Sequence, residues 1–207
     1  MSLRKPTLVA LLSMCAVTFA FAQRTTEPDV VPSEKEIKSF EKAKLSLAEA
    51  IAVAAKKYKN AKVVDVSFDN QGDQLAYKVK TYQDNSVWEG AVNAWTGQIT
   101  GNGTTTPVFK LDDEDKLELA GLQKASVDLA TATARAEEKG SGKAISAGLE
   151  ETNGRIVYEV TIVSKGATTK FVVDPTSGQS NNAIRSCTGR GSIHAVLLGS
   201  SPRGCGR

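Results

Sequence analysis

The chain predicts an α+β fold made of two tandem modules, each a helix packed on a three- to four-stranded antiparallel sheet. Three observations lead there. The apolar rhythm switches from helical spacing to strict alternation, and does so twice. The alternating runs are short and separated by turn residues, as in a meander of hairpins. The whole order then recurs: from Lys62 onward an offset of 81 residues carries Val64 to Ile145, Val66 to Ala147, Phe68 to Leu149, Tyr77 to Tyr158, Val79 to Val160, Gly97 to Gly178 and Gln98 to Gln179. The helical part before it aligns at 80, Lys44 with Lys124. A period this long marks two similar modules rather than a solenoid of short units. One amphipathic helix across one sheet face buries both apolar surfaces at once. Each module holds only about 60 to 70 residues, marginal as a lone core, so the two are expected to dock.

Residues 1–22 read as a signal peptide. Arg4 and Lys5 precede an apolar run from Leu8 to Ala20 that is too short to span a bilayer, and Ala20-Phe21-Ala22 fits the small-x-small cleavage rule. Cys15 follows Met14 where lipidation needs a small residue, so a lipoprotein anchor is not expected. Residues 23–44 form a polar, Pro-containing leader and a short helix; Ser33 and Glu36 have capping-box spacing, and Ile37 and Phe40 share one face.

The first module spans 45–101. Ser46 and Glu49 form a second capping box, and Leu47, Ala50, Ile51, Ala54 and Tyr58 follow a buried helical stripe. Lys56, Lys57 and Lys59 crowd the helix end, where cations suit the dipole. In VVDVSF the rhythm becomes period two, with Asp65 on the wet side. Leu75, Tyr77 and Val79 make a second strand, Asp84-Asn85 a turn, and Trp88 and Val92 face inward on a third. Thr96-Gly97-Gln98 ends that hairpin, with a short fourth strand through Ile99.

Residues 102–124 are expected to be a linker and short helix: GNGTTTP from Gly101 to Pro107, then about Asp113 to Ala120 with Leu117 and Ala120 matching Ile37 and Phe40. The second module spans 125–179, with a helix from Val127 to about Glu138 ended by Gly140, and strands carrying Ile145, Ala147, Leu149; Ile156, Tyr158, Val160, Ile162; and Phe171, Val173. Thr131 and Thr133 make its helix the poorer of the two. Residues 180–207 are rich in Gly, Ser and Arg without an acid, and are expected to be a disordered or appended tail.

The formal charge is +3, which falls to +1 without Arg4 and Lys5; four arginines of the tail then leave the body from Gln23 to Gln179 near −3. A mildly acidic body has no basic stripe for nucleic acid. Beyond the signal peptide only Cys187 and Cys205 remain. In an oxidising compartment they either pair, worth about 3 kcal/mol by chain entropy, or stay free in the tail.

The order SLAEAIAVAAKKY, VVDVSF, a Gly turn, YKV, an extended strand and WTGQ resembles the PepSY module. The residues that carry the resemblance are Ser46, Glu49, Ala50, Tyr77, Val79, Asn93, Thr96, Gly97 and Gln98, then Tyr158, Glu159, Val160, Asp174, Ser177, Gly178 and Gln179. Asn93 stands where the family has aspartate, Ser177 where it has threonine, Pro175 is unusual, and Leu129 replaces the capping glutamate. The resemblance implies a non-enzymatic protein-binding module of exported bacterial proteins, found in propeptides of thermolysin-like metallopeptidases. Two such units in tandem also resemble the architecture of the β-lactamase inhibitory protein, a likeness of fold and not of function.

The chemistry agrees with a binding protein. The one histidine, His194, lies in the tail, so no nucleophile–histidine site is expected in the modules. There is no HExxH, Asp69, Asn70 and Asp73 lack calcium-loop spacing, and LDDED at Leu111 to Asp115 reads as acid at a helix start. Asp65, Asp84 and Glu89 read as the wet face. No catalytic, cofactor or metal residue is expected. Trp95 sits at a turn where the second module has Thr176, so the core does not need it; with Tyr82 it is the candidate partner contact. The sequence thus predicts a periplasmic or secreted protein that binds another protein, a metallopeptidase among the candidates, without stable membrane insertion. The competing expectation is an envelope-associated module that senses a ligand between two sheets.

Overall fold

Each helix starts on the cap that its sequence supplies. In α1 (Glu34–Phe40) the Ser33 hydroxyl accepts the Glu36 N–H at 3.2 Å. In α2 (Leu47–Lys57) Ser46 and Glu49 close a full capping box, the Glu49 carboxylate accepting the Ser46 N–H at 2.8 Å. Leu47, Ala50, Ile51 and Ala54 are buried as the periodicity requires. Tyr58, expected on the same stripe, is instead the extended C-cap residue and is 37% exposed. The helix stops before it, so it leaves the helical rhythm.

The computed structural model describes residues 31–58, 60–70, 74–152 and 154–186. The expected signal peptide, most of the leader, His194 and the pair Cys187 and Cys205 lie outside the described residues.

Eight strands follow the helices four by four: β1 (Lys62–Asp69), β2 (Ala76–Gln83), β3 (Ser86–Asn93) and β4 (Ile99–Pro107), then β5 (Lys143–Thr152), β6 (Arg155–Ser164), β7 (Ala167–Val173) and β8 (Ser180–Ser186). They form one antiparallel sheet in the order β4-β3-β2-β1-β5-β6-β7-β8. The two halves therefore dock through strand pairing, β1 against β5, with Val66 opposite Ala147. Helices α2 and α4 (Leu129–Gly140) pack side by side on this sheet, and each touches the other half's first strand. One core runs through both modules.

The expected linker from Gly101 to Pro107 is a strand, paired with β3. Its turn-like composition is overridden by a bulge: the register jumps between Glu89 and Ala91, and the Trp88 indole N–H holds the Asn102 carbonyl at 2.9 Å. The bulge also twists this edge away from onward pairing. Likewise Ser180 to Ser186, expected to begin a structureless tail, is strand β8 on β7. Unfavourable strand composition matters little once a neighbour offers its free ladder.

The helical repeat also differs from its expected register. α3 runs Asp113–Lys124 and buries Leu119 and Leu122, whereas Leu117 is 46% exposed. In α4 the cap is Asp128, which accepts the Thr131 N–H at 2.8 Å, so the helix starts two residues past the expected Val127. Buried Leu47, Ala50, Ile51 and Ala54 thus match Leu129, Ala132, Thr133 and Ala136, an offset of 82 and not 80. The capping glutamate is absent as expected, with Thr131 at its place; an aspartate two residues further on does the serine's task. Thr133 is tolerated in the core because its hydroxyl bonds the Leu129 carbonyl at 2.7 Å.

Candidate functional site

The repeated Asn/Asp-x-x-Thr/Ser-Gly segments are straps between sheet and helix. The Asn93 side-chain oxygen accepts the N–H groups of Trp95 and Thr96, both at 2.9 Å. Asp174 does the same for Thr176 and Ser177 at 2.9 and 2.8 Å. The turn aims one carbonyl at the segment before each helix. Ala94 O receives the N–H groups of Lys44 and Leu45 at 3.1 and 2.9 Å, and Pro175 O those of Ser126 and Val127 at 3.0 Å. From the sheet, the Tyr77 hydroxyl donates to the Leu45 carbonyl at 2.6 Å and Tyr158 to Val127 at 2.9 Å. Burial pushes both phenols up. The most recognisable residues of the repeat therefore hold the fold, and nothing in their geometry is chemically reactive.

The first strap carries Trp95. The residue is 48% exposed, with the Lys44 ammonium 4.7 Å from the ring centroid. The turn fixes its backbone while leaving the indole outside the core. Tyr82 is partly buried and packs on the core margin. Register puts it opposite Val87, whereas Trp95 follows Asn93, which pairs with Ala76. The two candidates stand at opposite ends of the β2–β3 hairpin, about 20 Å apart at strand rise. They do not form one patch. Phe109, on the single 3-10 turn Val108–Lys110 after β4, is 74% exposed and was missed, because that stretch reads as linker.

Asp65 keeps the alternation expected of it, partly exposed between buried Val64 and Val66. It lines a small cavity of about 150 Å³ near the start of α3, with Lys80, Asp112, Glu114, Asp115, Glu118 and Glu150 around it. The LDDED run supplies the helix cap, as expected: Asp112 accepts the Asp115 N–H at 2.9 Å. It also carries these acids onto the sheet, and Lys80 ties down Asp115 at 2.9 Å. Burial pushes Asp65 up to about 7, relieved by Lys80 but reinforced by Glu150 and Glu89. Burial pushes Glu118 up to about 8, reinforced by Glu150, Asp115 and Asp65 and opposed by Lys80. Burial alone would lower Lys80, but the hydrogen bond and charge of Asp115 hold it above its ordinary value.

These shifts carry a sign. When unfolded the two carboxyls titrate near their ordinary 3.8 and 4.5, while in the fold they hold protons to about 7 and 8. The native state then binds more protons across that window. Their stabilisation is complete below about pH 4 and is lost as pH rises through 7 and 8. The urea midpoint is expected to fall between pH 5 and pH 9, and the Asp65→Asn, Glu118→Gln double variant should flatten that decline. An unchanged slope in the variant would show that these groups do not titrate as placed.

No gap between two sheets exists to hold a ligand, since the halves share one sheet. The space at their junction is a groove of about 580 Å³ between α2 and α4, lined by small and apolar residues such as Ala52, Ala55, Ile51 and Leu122 and by the polar Lys62, Asp128 and Arg135. Among the described residues no cluster of His, Cys, Asp and Glu is arranged to hold a metal ion, and no helix is long and apolar enough to cross a membrane.

Set beside known proteins, the chain finds no curated relative. A crystal structure of a Clostridium difficile 630 protein, described as a candidate lipoprotein, matches at 21% identity and a TM-score of 0.42, covering 70% of this chain and 95% of that one. The family model described as "Peptidase propeptide and YPEB domain", PepSY, matches twice, over residues 44–102 and 126–179. Both matches start just before the Leu45 or Val127 strap and take in the turn that holds it.

Proposed function

The chain belongs to the PepSY family, with two copies of its module in tandem, and from that premise we propose that it is an extracytoplasmic, non-enzymatic protein that binds a peptidase and restrains it by steric cover. The observation that carries this reading is the duplicated module itself, whose family description names peptidase propeptides. The straps leave one aromatic free of the core: Trp95, half-exposed on a rigid turn. An aromatic held in place without packing duty has the character of an interface anchor, since little entropy is lost when it is covered. Tyr82, partly buried, contributes at most from a second contact. Export through a cleaved signal peptide, to the periplasm or the medium, belongs to the same proposal.

The test titrates the mature chain from Gln23 against secreted and periplasmic proteolytic activity of its host, with a chelator to isolate metallopeptidases. Saturable loss of the chelator-sensitive activity is expected. Trp95→Ala should weaken it about thirtyfold, the size of a hot-spot truncation, with an unchanged unfolding midpoint. Absence of inhibition across that panel sinks the reading. Loss of stability in the variant would instead return Trp95 to the core.

A further inference from the structure

Resting on the protein-binding reading above, we infer that the groove between α2 and α4 receives an apolar segment of the protein partner carrying one glutamate, whose carboxylate is held by the Val63 N–H and the Lys62 ammonium.

The two copies differ where the groove opens, and the difference is one carboxylate. In the second copy the Glu137 side chain reaches from the last turn of α4 to the start of β5 and accepts the Ala144 N–H at 2.8 Å. The helix offset of 82 puts Ala55 at the place of Glu137, and the strand offset of 81 puts Val63 at that of Ala144. The registers agree: Val63 lies opposite Thr81 as Ala144 lies opposite Ile162, each just before a bulge. The Val63 N–H is therefore turned the same way as that of Ala144, off its own hairpin ladder. β5 pairs with β1 over Asp65 to Ser67, beyond its reach. Ala55 and Val63 both line the groove, and an alanine side chain has no oxygen to offer. A carboxylate is the strongest acceptor that a partner can bring to such a donor.

Charge points to the same ligand. Lys62, exposed at the rim beside Val63, enters no ion pair among the described residues. The other charged groups of the lining are engaged within the chain. Asp128 accepts the Thr131 N–H at 2.8 Å as the cap of α4, and Arg135 donates to the Gly178 carbonyl. A backbone donor and a cation thus stand side by side, and one negative group answers both. The walls set the rest of the ligand. Ile51, Ala52, Leu122 and Ala125 are apolar, and about 580 Å³ lies within the roughly 300–1,000 Å³ of small-ligand sites. Ala48 and Ala52 are exposed along α2, so the groove is open on that side and admits a continuous chain.

The experiment titrates the mature chain from Gln23 at pH 7 with acetyl-Ala-Leu-Glu-Leu-Ala-amide and with its glutamine counterpart, followed by amide NMR. Saturable shifts centred on Ala55, Val63 and Ala125 are expected, with the glutamine peptide about tenfold weaker. Lys62→Gln should weaken the glutamate peptide about threefold, as suits an exposed cation, and leave the glutamine peptide unchanged. Ala55→Glu restores the arrangement of the second copy. Its Val63 amide should exchange more slowly, its unfolding midpoint should not fall, and its peptide binding should be lost. Equal binding of the two peptides overturns the proposal, as does the lack of a saturable shift with the glutamate peptide. So does undiminished binding by a folded Ala55→Glu; should that variant unfold, undiminished binding by Lys62→Gln has the same force. Peptide binding without inhibition of any peptidase would sink the peptidase reading and leave the groove standing. Inhibition that persists in Ala55→Glu, with no peptide binding by the parent, would remove the groove alone.

Discussion

Tyr158→Ala is expected to cost the fold about 3–5 kcal/mol, the range for removing a buried aromatic. The ring is fully buried in the shared core, and its hydroxyl holds the Val127 carbonyl at the entry to α4. Truncation leaves a cavity beneath the helix and releases its leading segment. At about 2–4 °C per kcal/mol for a domain of this size, the melting temperature should fall by roughly 10–15 °C. Tyr158→Phe keeps the ring and removes only the hydroxyl, so about 1 kcal/mol is expected. Tyr77 occupies the same place under Leu45, and its two variants should behave alike. Urea denaturation of all four proteins checks this. Should the alanine variants lose no more than the phenylalanine ones, the rings are not packed as described.

Trp88→Ala is expected to cost a similar 3–5 kcal/mol and, in addition, to unfasten the β4 edge. The indole is 3% exposed and lies across Gly90, where a β-carbon would come within 2.1 Å of the ring. Tyr58 meets it edge-on at 6.3 Å, and the Lys57 ammonium lies 4.4 Å from its centroid. Its N–H is what pins the bulge at Asn102. Removing the ring therefore empties the core beneath β3 and releases residues 99–107. Hydrogen exchange should show those amides losing protection beyond the global change in stability, and the freed edge should raise aggregation. Protection of β4 that falls only in step with the rest would show that the bulge does not depend on Trp88.

The contrast between the two tryptophans illustrates what could be read in advance. Trp88 shares the parity of Val92 and is buried with it; Trp95 has Thr176 as its counterpart and is left half-exposed. Both follow from alternation and comparison of the two copies. Asp65 has the same alternating context and is likewise the more exposed residue between buried Val64 and Val66. What alternation does not show is its company: α3, nearly 50 residues downstream in sequence, brings its acids to the same small cavity. Local pattern tells which face a residue takes, and it cannot tell what will later lie on that face.

The amino-acid sequence by itself determined the α+β class, the duplication, the capped helices, most strands and the absence of a familiar catalytic motif. These rest on interactions between residues two to four positions apart, so they are written in periodicity and turn chemistry. Tertiary structure alone decided that the halves fuse through β1 and β5 into one sheet, that Gly101–Pro107 and Ser180–Ser186 become strands, that the helices repeat at 82, and that Asp65 lies beside the acids of α3. Strand pairing is made by backbone N–H and C=O groups that nearly every residue carries, so side chains leave little trace of which edges will meet.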